Sequence, residues 1–474
     1  MPVAYLGPAQ VLGLLRRIRA DAMTRRLLVV SLLAFGLALA YGVYLQPEWE
    51  SYRDDQRQYL LLARGIATRG EFTRAPAGEP FVPEPLRTPG YPLMLAPLCA
   101  TVGCDHAQVA VAQAIAAAAL PLLVFALVRR FAPDLALPAA VATAVYLPFA
   151  YYAALALADF AATLVLALAL VLVARARSLA GALVAGVALG FLALVRAQFV
   201  LLPLALAAAL IVARDGRAAW PRRAPRAAAL ILGAVLTLVP FNLYSYAYFG
   251  SPFVSSSGTG LWWGYFQGRG ADARGIGEFR DLALRGASDD AIASAGAAIG
   301  LDPLESREAA GAYRDIAAFD AIGDRTAQAY GWIAFNRSMT ARALALIAHD
   351  PLAYVARGFG VRTIELWAGD VPMRVRDFQE LPAAPRIVAV AAQLVLFAFA
   401  LAGAVLLARR GGREPLLVAA TLLYSWLALI IFVTEAHYSL PARTVLLIAS
   451  LYAVTALARR GVTFRARAPS KSAA

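Results

Sequence analysis

Acidic residues are the first candidates for chemistry in this sequence. Asp54 and Asp55 are adjacent and follow the first strongly apolar stretch of the chain. A serine before the pair and a glycine well after it predict a helix over about residues 52–69. On that helix Asp55 shares an apolar face with Tyr59, whereas Asp54 is rotated by about 100°. Both are candidate catalytic acids: Asp55 is the expected base, and the plainer interpretation of Asp54 is a helix-start acid favoured by the helix dipole.

Two further charges interrupt apolar sequence. An ionised acid deep in a membrane helix costs about 2.5–3.5 kcal/mol, and such residues are functional candidates by default. Asp159 is therefore a third candidate catalytic acid, with an acid of the first helical turn as the alternative. Arg196 stands between two apolar stretches. Its guanidinium suits two-pronged binding of a phosphate, and the alternative is an arginine whose charge reaches the membrane surface.

Two short segments concentrate polar side chains. Residues 76–92 contain six prolines, which favour a stiff extended path over a helix. Residues 434–443 hold an acid, a histidine, a tyrosine and an arginine on one connection. The candidate substrate-binding residues of the whole chain are Tyr59, Arg87, Tyr91, Arg196, Glu435, His437, Tyr438 and Arg443.

Composition places these residues in a membrane protein. Of 474 residues 61% are hydrophobic and 16% charged, which lies outside the range of ordinary soluble domains. A spanning helix needs about 20 mostly apolar residues. We predict an all-α polytopic membrane protein with ten spans: 27–45, 106–128, 135–152, 157–174, 179–195, 198–213, 228–247, 386–408, 415–433 and 440–458.

The net charge of +14 has a meaning only after the basic residues are sorted by side. With a cytoplasmic N-terminus, the inside segments hold 22 Lys and Arg against four acids, and the remaining 22 basic residues accompany 26 acids. The surplus therefore falls on one face, as the positive-inside rule requires. We expect both termini to be cytoplasmic, and nucleic acid is not an expected partner.

The predicted organisation has two large outer segments. We expect a cytoplasmic N-terminus, an uncleaved first span, two outer loop regions and a cytoplasmic tail. The predicted divisions are 1–26, 27–247 with the catalytic first outer loop 46–105, the helical outer loop region 248–385, 386–458 and 459–474.

The chain has two cysteines, Cys99 and Cys104, and both fall in the first outer loop. A disulfide is chemically permitted on that side of a membrane. The sequence leaves a local bridge and two buried thiols equally open, because it gives no separation between the two residues.

With these residues in view, the chain resembles the polytopic GT-C glycosyltransferases, a group that includes protein O-mannosyltransferases and lipid A aminoarabinose transferases. The resemblance extends over most of the chain. It is carried by Asp54-Asp55 to Tyr59, Ala63-Arg64, Arg87-Thr-Pro-Gly-Tyr-Pro-Leu-Met-Leu-Ala96, Asp159, Ser257-Gly-Thr-Gly-Leu-Trp-Trp-Gly264 and His437-Tyr-Ser-Leu-Pro441.

The resemblance implies a helical bundle with an outward-facing cavity and a polyprenyl-phosphate sugar as donor. It implies that Asp55 is the base and that the anomeric centre of the sugar inverts. The acceptor hydroxyl would belong to a lipid, a glycan or a protein at the outer face of the bacterial inner membrane. A divalent cation, Mg²⁺ or Mn²⁺, held by Asp55 and Asp159 is compatible with the reaction and not required by it. In the group the last connection usually begins with arginine where this chain has His437, so Arg196 or Arg443 is expected to bind the phosphate.

A lipid or sugar transporter, or a flippase, is the alternative function. Such proteins more naturally show broken helices in two related halves and charges at the membrane midplane. The acids of this chain gather instead at one predicted rim of the bundle, which favours an enzyme. The identities of the sugar and the acceptor stay open.

Overall fold

The protein is helical in all of its described parts. The computed structural model describes residues 21–46, 53–214, 220–252, 256–268, 273–369 and 372–467. No β-strand occurs in these ranges. The predicted all-α class is thereby confirmed.

The N-terminal half consists largely of apolar helices that begin at polar residues or prolines. Asp105, for example, accepts a hydrogen bond from the backbone N–H of Gln108 and caps the helix that follows. In chain order these helices are α1 (Ala22–Leu45), α2 (Arg53–Arg69), α3 (Gly90–Thr101), α4 (His106–Ala117), α5 (Leu120–Val128), α6 (Pro133–Val145), α7 (Leu147–Ala153), α8 (Ala158–Arg175), α9 (Leu179–Val195), α10 (Leu202–Val212) and α11 (Trp220–Phe249).

The C-terminal half begins with shorter amphipathic helices and returns to apolar ones. A π-helical turn covers Gly358–Arg362, and 3-10 turns cover Ala197–Phe199 and Ala436–Ala442. The helices are α12 (Ser257–Phe266), α13 (Ala273–Leu284), α14 (Asp289–Ala298), α15 (Pro303–Asp320), α16 (Arg325–His349), α17 (Pro351–Arg357), α18 (Thr363–Ala368), α19 (Val375–Glu380), α20 (Ala383–Arg410), α21 (Arg413–Leu429) and α22 (Arg443–Arg467).

The chain is a multi-pass membrane protein, but ten spans are not confirmed. Within the described residues, six helices are long and apolar enough to cross a membrane, or up to seven if the bent pair α6 and α7 forms one span. The predicted stretches at α9, α10 and α21 are helical but have only 17, 11 and 17 residues, fewer than the about 20 of a typical crossing. The six spans are Ala22–Leu45, His106–Val128, Ala158–Arg175, Arg223–Phe249, Ala383–Arg410 and Ala436–Arg459.

Helices α9 and α11 pack with their backbones in close contact. A Cβ atom added at Gly186 would lie 2.1 Å from the carbonyl oxygen of Leu230, and one at Gly233 would lie 2.2 Å from that of Leu183. Small residues at such crossings let membrane helices gain packing contacts where water provides no driving force between them. This contact holds the end of α9, which carries Arg196, against the long span α11.

Helices α12 to α18 are together called the loop-end layer here, and its last helix, α18, packs into the core of the membrane helices through Leu366 and Trp367. Part of this layer has a separate apolar core built around Trp262, Tyr265, Phe279, Met339 and Leu346. The sequence assigns these helices to the predicted outer segment 248–385, and the division itself stays a prediction.

Arg362 joins the loop-end layer to the membrane helices. Its guanidinium is 1% exposed and donates hydrogen bonds to the carbonyl oxygens of Tyr354 (2.7 Å), Gly264 (2.5 Å) and Ile430 (2.7 Å). A buried charge needs this degree of hydrogen bonding to be tolerated. One side chain therefore ties α12, α17 and the end of α21 together.

The first loop is compact as well. Helices α2 and α3 pack against each other, and Cys99 and Cys104 form a disulfide at the end of α3. Of the two alternatives that the sequence leaves open, the structure contains the bridge.

We expect Gly186→Ala to destabilise the bundle, because the added methyl group would overlap the backbone of α11. Overpacking of this kind costs about 1–3 kcal/mol. The thermal unfolding midpoint of the purified protein in one detergent measures the effect. Gly36→Ala is the matched control, since a Cβ at that position of α1 meets nothing within 4 Å. Equal midpoints for the two variants would contradict the close α9 and α11 contact.

Candidate functional site

A cavity of about 1500 Å³ lies where the loop-end layer meets the membrane helices. Its walls come from α2, the proline-rich segment, the end of α9, α11, α12, α18 and the connection before α22. The aspartate, glutamate, arginine and histidine side chains that line it are Asp55, Arg87, Arg196, Glu365, Glu435 and His437.

Helix α2 brings Asp55 and Tyr59 to the cavity. Gln56, between them, is fully buried, and its side-chain oxygen accepts a hydrogen bond of 2.7 Å from the backbone N–H of Ala156. That bond fixes α2 against the turn that leads into α8. Asp55 then stands 53% exposed at the wall, and Tyr59 is 8% exposed beside it.

Arg87 is held by three partners. Its Nη2 group contacts the carboxylate of Asp55, and its Nε donates to the side-chain oxygen of Gln58 at 2.9 Å. The guanidinium carbon lies 5.1 Å from the ring centre of Tyr59, within cation–π range. Asp55 and Arg87, 32 residues apart in sequence, thus form one unit.

Glu84 shapes the backbone in front of Arg87, and we did not predict it as a site residue. It is 2% exposed and accepts hydrogen bonds from the backbone N–H groups of Leu86 (2.8 Å) and Arg87 (3.0 Å). Arg74 lies 2.5 Å from its other oxygen. The sequence signal for Glu84 was an acid within the proline-rich segment. Prolines have no N–H group, so such a segment forms few backbone hydrogen bonds of its own and depends on side chains to order it.

Gly90 explains the Pro-Gly-Tyr-Pro sequence in physical terms. A Cβ atom there would lie 2.5 Å from backbone atoms of Leu194 and Val195 at the end of α9. A larger residue would push the two segments apart. This approach brings Arg87 into the same cavity as Arg196.

Tyr91 supports the site from behind and does not line the cavity. It is 1% exposed, and its ring centre lies 5.1 Å from that of Tyr59 in an edge-to-face arrangement. Its hydroxyl donates to the side-chain oxygen of Gln113 at 3.3 Å. The structure therefore gives Tyr91 a packing role and leaves its predicted contact with substrate without support.

Asp159 and Arg196 form a buried ion pair. The carboxylate has no exposed surface, and one of its oxygens lies 2.5 Å from a guanidinium nitrogen of Arg196, whose side chain is 15% exposed. The first turn of α8 also favours the acid through the helix dipole. Arg196 in turn lies over the ring of Tyr438, at 5.2 Å. Asp159 therefore does not line the cavity itself and affects it by holding Arg196 in place.

The charges of both ion pairs act on Tyr59. Burial raises the pKa of this phenol, and Arg87 and Arg196 oppose that shift. The Tyr59 side chain is thus a neutral hydroxyl between two cations at neutral pH.

The connection before α22 places an acid and a histidine at the cavity wall. Nδ1 of His437 lies 3.3 Å from a carboxylate oxygen of Glu435. The imidazole ring centre is 4.5 Å from that of Tyr438 and 6.1 Å from that of Tyr152. The backbone is fixed by Gln198, whose amide donates to the carbonyl oxygen of Tyr438 at 3.0 Å.

Arg443 lies away from the cavity. It is 1% exposed and donates to Ser439 (2.9 Å), to the hydroxyl of Tyr146 (2.7 Å) and to Gln393 (2.9 Å). Its guanidinium is a structural link between helices, so its predicted binding of a phosphate has no support here. Of the two arginines expected to bind the phosphate, Arg196 is the one that lines the cavity.

The structure thus brings together most of the predicted site. The side chain of Asp54 lies outside the described part of the chain. Asp159, Tyr91 and Arg443 are buried behind the wall. The predicted residues that line the cavity are Asp55, Tyr59, Arg87, Arg196, Glu435, His437 and Tyr438.

Gln267 and Glu365 form a polar cluster that sequence reasoning missed as a site. The amide of Gln267 donates to Glu365 and to the carbonyl oxygen of Thr434 at 2.6 Å, and it accepts from the backbone N–H of Thr434 at 2.8 Å. Burial raises the pKa of Glu365, and the hydrogen bond from Gln267 opposes that shift. The two side chains are 98 residues apart, so nothing in the sequence joins them.

The predicted divalent-cation site does not fit this arrangement. Asp55 and Asp159 are each paired with an arginine rather than facing one another as a ligand set. The described residues contain no group of three or more His, Cys, Asp and Glu side chains that could hold a metal ion. We therefore assign no metal to the cavity.

One flank of the cavity is apolar and belongs to the membrane helices. Leu238 and Phe241 come from the span α11, Leu201 precedes α10, and Leu429 ends α21. A charged end and an apolar flank thus share one space.

No protein-family model matches this sequence, and no curated protein sequence matches it. Solved structures do resemble the fold. The apo form of the Archaeoglobus fulgidus oligosaccharyltransferase is 15% identical over 93% of this chain and 51% of that one, with a TM-score of 0.51. The archaeal oligosaccharyltransferase AglB from Archaeoglobus fulgidus, in complex with an inhibitory peptide and a dolichol-phosphate, is 15% identical over 96% of this chain and 53% of that one, with a TM-score of 0.46.

The first of these matches shows that this chain shares the fold of an oligosaccharyltransferase. The chain spans about half the length of the structures that it matches. At this identity the likeness concerns architecture alone, and residue roles do not follow from it.

We expect Asp159→Asn to lower thermal stability strongly, because it leaves the guanidinium of Arg196 buried without its counter-charge. Breaking a buried pair from one side costs about 3–5 kcal/mol. The double variant with Arg196→Gln should recover most of the unfolding midpoint, which a double-mutant cycle quantifies.

The exposed pair of Arg376 and Glu380 provides the control for this cycle. Its side chains are 82% and 63% exposed, so Arg376→Gln should leave the midpoint unchanged within error. Additive effects at Asp159 and Arg196 would show that the two side chains do not interact.

Proposed function

We propose that this chain is a membrane glycosyltransferase of the GT-C type. In the proposed reaction a sugar moves from a polyprenyl-phosphate donor to an acceptor hydroxyl at the outer face of the inner membrane. The observation that carries the proposal is the cavity, where an apolar flank from membrane helices joins a polar part with two arginines and three carboxylates. A substrate that is part lipid and part anion matches both halves.

The donor would lie with its isoprenoid chain along Leu201, Leu238 and Phe241. Burying such a chain against these side chains is favourable in proportion to the apolar area. Its phosphate would meet Arg196 first and Arg87 second. Guanidinium groups bind phosphate through two parallel N–H donors, and fixed cations stabilise the charge of a departing phosphate.

Asp55 is the proposed base. It would take the proton of the acceptor hydroxyl while that oxygen bonds to the anomeric carbon of the sugar. The bond between that carbon and the phosphate oxygen breaks, and the phosphate leaves with the electron pair. Attack opposite the leaving group inverts the anomeric centre. Positioned base catalysis contributes about 10²–10⁴-fold.

One observation supports the role of Asp55, and a second supports the class of protein. Arg87 holds the Asp55 carboxylate at the cavity wall, so its position is set before a substrate binds. The shared fold with an oligosaccharyltransferase supports a membrane transferase at the level of architecture. A transporter or flippase stays the alternative, and the test separates the two.

We expect Asp55→Asn and Asp55→Ala to reduce sugar transfer by at least about 100-fold, since either change removes the proton acceptor. The assay uses the full chain in liposomes with radiolabelled polyprenyl-phosphate sugars and a membrane extract as acceptor. Asp134→Asn is the control, because that acid is 81% exposed and does not line the cavity.

Full transfer by Asp55→Ala would reject the proposal. Movement of the labelled lipid across the bilayer without any transfer, in the wild type, would support a transporter instead.

A further inference from the structure

We infer that the cavity wall formed by α12 and Glu365 is the acceptor subsite, and that its ligand is a saccharide. The inference rests on the proposed function and adds the chemical class of the acceptor. It starts from Trp263, a large aromatic side chain that lines the cavity and is 44% exposed.

One face of α12 is turned to the cavity. Thr259, Gly260 and Trp263 line it at the spacing of residues that share one side of a helix, and Ser256 and Ser257 line it at the start of the helix. The ring of Trp263 and the hydroxyl of Thr259 are therefore neighbours on one surface. A sugar ring offers the matching pair of features, an apolar C–H face and a rim of hydroxyl groups.

Close backbone contacts along α12 lock the helix in place. A Cβ atom at Gly258 would lie 2.2 Å from the carbonyl oxygen of Asn336, and one at Gly264 would lie 2.6 Å from the backbone nitrogen of Val433. Val433 also donates a hydrogen bond of 2.7 Å to the carbonyl oxygen of Gly260. The glycine-rich sequence of this helix thus serves to fix the face that carries Trp263.

Glu365 completes the wall with a fixed carboxylate. Gln267 binds it and is itself held by the backbone of Thr434 through two hydrogen bonds. No arginine or lysine of the described residues forms an ion pair with Glu365 at 4.0 Å or less, in contrast to Asp55 and Asp159. Carboxylates held in this way accept hydrogen bonds from sugar hydroxyls.

The position of this wall assigns it to the acceptor rather than to the donor lipid. Helix α12 contributes Trp262 and Tyr265 to the separate core of the loop-end layer, whereas the apolar flank comes from α11 and the membrane helices beside it. The donor reaches the cavity through lipid, and a hydroxylated acceptor reaches it through water. The two would then meet at Asp55 and Arg87.

The test measures binding of two ligands by the full chain in detergent. The first is an array of oligosaccharides of defined structure, and the second is fluorescent polyprenyl phosphate. We expect the wild type to bind oligosaccharides and Trp263→Ala to weaken the best of them about tenfold. Trp263→Phe should keep most of the affinity, and Glu365→Gln should lose part of it. None of these changes should alter binding of polyprenyl phosphate.

Tyr330→Ala is the matched control, because Tyr330 is 48% exposed on the loop-end layer and does not line the cavity. It should bind oligosaccharides like the wild type. A wild type that binds peptides and no oligosaccharide would overturn the inference. Weaker binding of polyprenyl phosphate by Trp263→Ala would overturn it too, since the wall would then belong to the donor.

Failure of the proposed function gives a different result. In that case oligosaccharide binding depends on Trp263, while polyprenyl phosphate neither binds nor donates a sugar in the Asp55 assay.

Discussion

The buried pair of Asp159 and Arg196 is the interaction on which the site depends. A carboxylate without any exposed surface at the start of a membrane helix requires a cation in contact, and Arg196 is that cation. The pair fixes the end of α9 against α8. Because Gly90 packs against the same end of α9, the loop that carries Arg87 is positioned from there as well.

A second consequence is the pairing of charges around Tyr59. Two carboxylates and two arginines surround one neutral phenol, so the site holds strong local charges with little net charge. Arg87 also lies over the ring of Tyr59, and Arg196 lies over that of Tyr438. These contacts keep both guanidinium groups oriented before any anion arrives, and fixed charges of that kind need no reorganisation during a reaction.

The cavity joins two environments. Its apolar flank is made by membrane helices and its other wall by the loop-end layer, and Arg362 connects the two through three backbone carbonyls. Arg362 and the close backbone contacts of Gly258 and Gly264 together set the position of α12 relative to the arginines. A lipid-linked substrate and a water-borne one can both reach such a space, which is the physical basis of the proposed transfer.

The sequence by itself determined the class, since its apolar stretches have the length and hydropathy of membrane helices. It singled out Asp159 and Arg196 because charges in apolar sequence are costly, and Asp55 because it shares the apolar face of a predicted helix with Tyr59. It could not give the number of full spans, because breaks in α6 and α7 and short helices depend on packing. Tertiary structure alone decided that Arg443 is buried in a helix contact while Glu365 faces the cavity, and that Asp159 is paired rather than exposed. The physical reason is that burial, ion pairs and hydrogen bonds join residues far apart in the chain, as with Gln267 and Glu365. The local sequence pattern does not show which distant residues will meet.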